Sequence, residues 1–459
     1  MSKVKKFFYL FFYGLVNLIS ILSLVAIFLC VATRKDRFLF RTDWIGNLFL
    51  ILIIGCLGLI FIMIFKTIYN FGRDRQIALN PPRVLPKESK RKKKSIAPAK
   101  DRYQKLTKLD LQHPFYEEVE TTKDLTLENI CEKFRNYACK DLKLYYSLDD
   151  IRRYIASLGV SKILILQGMS GTGKTSLPVA FGRFIQHSTT VIPVQPMWKE
   201  RSDLLGYYNE FTGKFNETMI LEKLYEANQT DDMTIIVLDE LNIARVEYYF
   251  SEFLSLLELP QASSRILEVS STIAKDDPKL LKNGKLQLSD NVWFIGTANN
   301  DDSTFAISDK VYDRSMILNL DYRCEPFVVK EETTPIKLSS KDFLSMINDA
   351  KEDYSLTIRE KRHLKELDKY VTKHFNITFG NRIMRQIEAY VSIYIACGGT
   401  EIEALDDILA KKLLRKLESQ NPIYVKSHAE ELCNKFDEIF GQDNMKVCQE
   451  YIRRIARNS

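Results

Sequence analysis

The chain is 459 residues long with 46% hydrophobic and 27% charged residues, a balance that excludes a disordered, collagenous or low-complexity protein and leaves room for two or three domains. Its formal charge of +7 is unevenly spread: residues 1–65 carry +5, residues 66–102 carry +9 and residues 103–459 carry −7. A net-acidic body is a poor electrostatic footprint for phosphate-rich polymers, so nucleic acid is not directly indicated as a partner.

Residues 7–33 and 45–65 are charge-free apolar runs, each long enough to cross a hydrocarbon core of about 30 Å as a helix. They are longer than the apolar stretch of a signal peptide, and two N-terminal transmembrane helices are predicted. Lys3, Lys5 and Lys6 precede the first, and Arg34, Lys35, Arg37 and Arg41 occupy the short 34–44 connection. After the second come Lys66, Arg73, Arg75, Arg83, Lys87 and the basic run Lys90 to Lys94. The heavier basic load lies on the cytoplasmic side. This predicts a two-pass protein of the plasma (inner) membrane, its termini and the body after residue 102 cytoplasmic and 34–44 forming a short external loop. Pro81, Pro82, Pro86 and Pro98 make 66–102 an extended basic linker. Its charge serves either as the topology signal or as a grip on anionic headgroups of the lipid bilayer.

Lys162 to Gln167 reads as a strand buried on both faces. Gly168, Met169, Ser170, Gly171, Thr172, Gly173, Lys174 and Thr175 follow at once, with Ser176 opening a helical stretch to Phe184. Strand, G-x-x-x-x-G-K-[ST] and helix together define a phosphate-binding loop. Its amides curl around the β-phosphate, Lys174 reaches the β and γ oxygens, and the Thr175 hydroxyl ligates Mg²⁺. Thr234 to Leu238 form a second apolar strand that ends in Asp239 and Glu240. Acids at a strand's carboxyl end face the nucleotide crevice; Asp239 is the expected metal-side acid and Glu240 the group that polarises the attacking water.

A third strand, Val292 to Gly296, runs into Thr297-Ala298-Asn299-Asn300, and Ser308 to Arg314 follow. This order resembles the AAA+ ATPases. Leu238-Asp-Glu-Leu-Asn-Ile-Ala-Arg245 followed by a helix over 248–258 resembles their McrB-like branch, over about residues 145–420. The resemblance implies an α/β P-loop NTPase fold, a three-layer αβα with a parallel sheet plus a helical lid. It implies nucleotide hydrolysis with Mg²⁺, ATP being the expected nucleotide and GTP the alternative, in a homo-oligomeric ring such as a hexamer. By position, Asn299 resembles the sensor-one residue, Arg314 the arginine finger that reaches a neighbour's nucleotide, and Arg382 the sensor-two arginine of the lid. The chain departs from the branch at Asp302-Ser303 and at Asp313-Arg314-Ser315, where a run of arginines shrinks to one.

Between the P-loop helix and the acidic strand, a strand-like run over 188–198 precedes Leu205 to Phe215. In AAA+ rings aromatic loops there often face a channel, which makes Tyr207, Tyr208 and Phe211 candidates; ordinary packing is the competing reading. Ala262 to Asp290 is expected to be an inserted hairpin or loop. Residues 339–459 show helical patterns only: Lys341 to Asp349, Arg359 to Phe375, Asn381 to Ala396, Ile402 to Leu417 and two more stretches. Asn434-Lys-Phe-Asp437 matches a guanine-reading pattern but falls on a helix, where it reads as accidental. Eight scattered cysteines without a C-x-x-C pair, and five histidines, imply buried thiols in a reducing compartment and no zinc site. No second catalytic constellation appears, so an unidentified partner protein is expected to receive the work of hydrolysis. A nucleotide-gated scaffold or sensor and a DNA-restriction motor are the alternatives.

Overall fold

The structure, a computed structural model, describes residues 102–113, 115–187, 189–299 and 304–458. The two predicted spans, the linker up to residue 101 and the Asp302-Ser303 pair lie outside the described residues. Among the described residues, no helix is long and apolar enough to cross a membrane.

Three helices open the body: α1 (Lys105–Gln112), α2 (Leu127–Leu142) and α3 (Leu148–Val160). Thr126 and Asn129 cap α2 reciprocally, and the Ser147 hydroxyl accepts from the Asp150 amide at the start of α3. Then come β1 (Ile163–Gln167), α4 (Ser176–Phe184), β2 (Thr190–Pro193), α5 (Arg201–Leu205), β3 (Gly206–Asn209), β4 (Lys214–Glu217), α6 (Met219–Glu226) and β5 (Thr234–Asp239). The chain continues through α7 (Val246–Tyr249), α8 (Ser251–Leu256), β6 (Ile266–Glu268), β7 (Lys285–Gln287), β8 (Val292–Ala298), α9 (Asp309–Tyr312) and β9 (Met316–Asn319). Six helices follow: α10 (Ser340–Asp353), α11 (Ile358–Phe375), α12 (Asn381–Ala396), α13 (Glu401–Lys412), α14 (Pro422–Phe440) and α15 (Lys446–Asn458).

The central sheet has the order β2-β5-β8-β1-β9 with every neighbour parallel. Its strands are continuous apolar runs because both faces are covered; all seven residues of β8 are buried. Alternate side chains feed opposite layers. Leu164, Leu166, Ile235, Val237, Trp293 and Ile295 pack with α2, α3, α4 and the C-terminal helices. Ile163, Ile165, Ile236, Leu238 and Phe294 pack with α6, α7, α8 and the two hairpins. Register sets Gln167 beside Ala298 and Leu238 beside Gly296. The carboxyl ends of β1, β5 and β8 therefore share one edge, and the parallel αβα architecture expected from the sequence is present together with a helical C-terminal region.

Local readings differ in places. The helix expected over 248–258 breaks at Phe250, whose backbone leaves the helical region (φ −106°, ψ 4°), giving α7 and α8. The strand expected over 188–198 shortens to β2, and the helix expected to reach Leu417 ends at Lys412 before a 3₁₀ turn, Leu414–Ser419. The inserted segment is the antiparallel hairpin β6–β7. Asn434 to Asp437 lie inside α14, away from any strand end.

Two buried ionic ties brace the body. Arg102 pairs with Asp277 and donates to the Thr272 carbonyl at 2.6 Å, while its own carbonyl accepts from Phe215 N at 2.9 Å. Arg153 of α3 lies 3.2 Å from Asp407 of α13, which Lys411 approaches at 2.6 Å and Tyr390 donates to at 2.6 Å. Burial alone would push the Asp407 carboxyl up; the Lys411 and Arg153 cations reverse this and hold it below the usual carboxylate range.

Candidate nucleotide site

Between β1 and α4 the backbone adopts the curled path that a phosphate loop needs. Gly168 has φ +146°, and a Cβ there would sit 2.3 Å from the Leu320 carbonyl oxygen, so only glycine fits under the strand end that passes over it. Gly173 has φ +95°, and its carbonyl accepts from the Tyr146 hydroxyl at 3.1 Å. Burial raises the Tyr146 phenol above its ordinary value and keeps it a donor. The Lys174 ammonium donates to the carbonyls of Gly168 (2.9 Å) and Met169 (2.7 Å), and the Thr172 hydroxyl braces Met169 O at 2.9 Å. Met169, Ser170 and Gly171 remain exposed at the rim.

The acidic strand end meets this loop directly. Thr175 Oγ1 donates to Asp239 Oδ1 at 2.7 Å, and Thr297 Oγ1 of β8 donates to the same oxygen at 2.7 Å. Thr297 also accepts from the Glu240 amide at 3.0 Å. Glu240 stands in the left-handed region (φ 54°, ψ 48°), which turns the chain out of β5 and leaves this side chain exposed. A non-glycine residue held there is a local strain of the kind found at functional turns. Asn299 lies one residue past β8, and its carbonyl accepts from Asn242 Nδ2 at 3.0 Å, as does Phe305 O at 3.2 Å, which ties the two strand-end loops together. Thr175 and Asp239 offer adjacent hard oxygen donors, a set that suits Mg²⁺, and the glycine cradle beside Lys174 suits a phosphate chain. These residues fit the groups predicted for them.

The two predicted arginines come together on one carboxylate. Arg314 Nε lies 2.9 Å from Glu258 Oε2 and Arg382 lies 2.8 Å from Glu258 Oε1. Among the described residues the ion pairs of both guanidiniums are with Glu258, so Arg382, expected as the sensor-two arginine, stands beside Arg314, expected as the finger. The 309–315 segment is joined to the phosphate loop, since Gln167, the residue before Gly168, donates to the Tyr312 hydroxyl.

In the sequence Thr297 stands within the motif after the third strand with no role assigned, and Tyr312, Gln167 and Glu258 have none either. For Thr297 a signal existed: strand pairing sets it next to the end of β5. The aromatic segment divides between its two readings. Phe215 is buried and Tyr208 half-buried against the core, whereas Tyr207 and Phe211 project from the β3–β4 hairpin, Phe211 being 98% exposed.

Residues 163–315 match the family model of an AAA domain of the dynein-related subfamily, and residues 331–459 match that of a domain of unknown function, DUF8727. No curated protein matches the sequence. Among solved structures the chain is similar to a candidate ATPase from Cytophaga hutchinsonii, at 14% identity over 67% of this chain and 92% of that chain, with a TM-score of 0.43. That likeness is too distant to carry an argument. The phosphate loop, its acidic strand end and the family match agree: residues 163–315 form a P-loop ATPase domain that matches the AAA family model.

Proposed function

We propose that this protein is a membrane-anchored AAA+ ATPase of the McrB-like branch that assembles as a homo-oligomeric ring and remodels a partner protein at the cytoplasmic face. The observation that carries the catalytic part is the convergence of Thr175 and Thr297 on one oxygen of Asp239, directly beneath the Lys174 loop. The apolar runs 7–33 and 45–65 and the basic residues after them support the anchoring.

When bound, Mg²⁺ would draw charge from the β and γ phosphates and orient them. Thr175 and Asp239 would hold it; Lys174 and the loop amides would hold the phosphates. Thr297 fixes the Asp239 carboxylate and, through the Glu240 amide, aims the next side chain outward. Glu240 would polarise a water, with Asn299 orienting it. Arg314 would serve the nucleotide of an adjacent copy, once released from Glu258.

Lys174→Ala removes the phosphate-clamping ammonium, and nucleotide binding should be lost while the fold persists; equal affinity in variant and parent would dismiss this loop as the site. Glu240→Gln keeps a hydrogen-bonding side chain without its charge. It should bind ATP and turn it over about a hundredfold or more slower. Undiminished turnover would remove Glu240 from this role. For the anchoring, externally applied thiol reagent should label a cysteine placed in 34–43 and miss one at position 95, in an otherwise cysteine-free chain.

A further inference from the structure

Lys412 is the last residue of α13, and its side chain is buried. Its ammonium donates to the carbonyl of Tyr312 at 2.8 Å and to that of Ser315. Those two carbonyls bracket Asp313 and Arg314. Further contacts from the C-terminal helices grip the same segment. Gln386 donates to Asp313 O at 3.2 Å, Lys416 lies 3.9 Å from the Asp313 carboxylate, and Arg415 pairs with Asp309 and stacks 3.7 Å over the Tyr312 ring. From the other side Ser161 donates to Arg314 O at 3.1 Å. A buried ammonium is expensive unless a carboxylate pairs with it. Among the described residues none lies within ion-pair distance of Lys412. Burial draws its pKa down to about 7, opposed by Asp313 and reinforced by Arg415, Lys416 and Arg382. An apolar side chain would fill the space without that cost, so the lysine stands where two carbonyls need a donor.

We propose that Lys412 is a positioning residue that fixes the backbone on both sides of Arg314, so that the grip of the helical lid on residues 309–315 sets how Arg314 is presented to the nucleotide of a second copy of this chain. This rests on the reading of Arg314 as acting in trans. The hydrogen bond from Gln167 at the end of β1 to Tyr312 at the end of α9 carries the same segment back to the chain's own phosphate loop, and Lys412 therefore stands where one copy's loop, its lid and the neighbour's site would be connected.

The test uses the full-length chain with Lys412→Met, and with Lys412→Gln in case the first does not accumulate folded. A fluorescent ATP analogue should bind both variants within about twofold of the parent, and KM should hold. Turnover should fall about a hundredfold, as for a misplaced reacting group. Mixing with Lys174→Ala subunits, whose Arg314 is properly held, should restore turnover; mixing with Arg314→Ala subunits should not. The double variant Arg314→Ala/Lys412→Met should be no slower than Arg314→Ala alone, because the two changes remove one function. Turnover within twofold of the parent for the folded Lys412 variant, or an additive further loss in the double variant, would overturn the assignment. Undiminished turnover of Arg314→Ala would instead dismiss the trans reading itself.

Discussion

Glu258 holds Arg314 through a 2.9 Å contact between Oε2 and Nε, and its second oxygen holds Arg382. On the proposed reading of Arg314 as acting in trans, the carboxylate occupies the guanidinium that a neighbour's phosphate would otherwise take. Its three members are partly exposed, so the pairing contributes only about 0–1 kcal/mol to folding. Glu258→Ala should leave the thermal midpoint nearly unchanged and release both guanidiniums. Hydrolysis followed against protein concentration should then reach its plateau at lower concentration than in the parent. A curve that does not move would show that Glu258 does not restrain Arg314.

Thr297→Val exchanges the hydroxyl for a methyl of similar size. Asp239 loses a donor and the Glu240 amide loses its acceptor inside a buried strand end, which should cost about 1–3 kcal/mol of stability. Denaturant unfolding would measure that loss. Turnover should fall further than nucleotide affinity, because the hydroxyl sets the aim of Asp239 and Glu240 and touches no phosphate.

Asp277→Ala would leave the Arg102 guanidinium buried without its carboxylate; the two side chains are 2% and 7% exposed. Stranding one member of such a pair costs about 3–5 kcal/mol. The midpoint of denaturant unfolding should drop accordingly, and the additional change Arg102→Met should recover much of it. Failure of the second change to recover stability would show that Asp277 acts through other contacts.

Lys412 gives a pH signature independent of catalysis. Its folded pKa of about 7 lies below the ordinary lysine value of 10.5, so between those limits the unfolded chain binds the extra proton and stability rises with pH. Below pH 7 both states are protonated and the full cost of burial applies. Lys412→Met has no proton to lose. Its stability relative to the parent should therefore be greatest near pH 6 and fall by about 2 kcal/mol between pH 7 and pH 9. Paired denaturation curves across that range would read it, and a constant difference would contradict the buried charge.

The parts of the site that lie along one stretch of chain were legible in the sequence. Gly168 to Thr175 and Asp239-Glu240 announce themselves because strand, turn and helix signals are local, and Asn381–Ala396 is a helix over the bounds its pattern implied. What could not be read is pairing across distance. Glu258 and Arg382 are 124 positions apart in the sequence, and no spacing rule joins a helix end to a residue on α12. Thr297 was hidden in the same way, since its partner is defined by the register of β5 against β8. The break at Phe250 is tertiary as well: its ring stacks 5.0 Å from Phe253 and meets Phe294 of β8 edge-on, and such packing overrides helical periodicity.

The apolar core that starts at Leu127 in α2 continues to Ile455 in α15 without a seam. C-terminal helices that share the sheet's own core are expected to unfold together with it. Heating should therefore give a single endotherm for this body, with amides of α12 and β1 in the same slow-exchange class. Any working motion of those helices is then a shear across a packed face, a slide of small amplitude that keeps its contacts, and not the swing of a free flap.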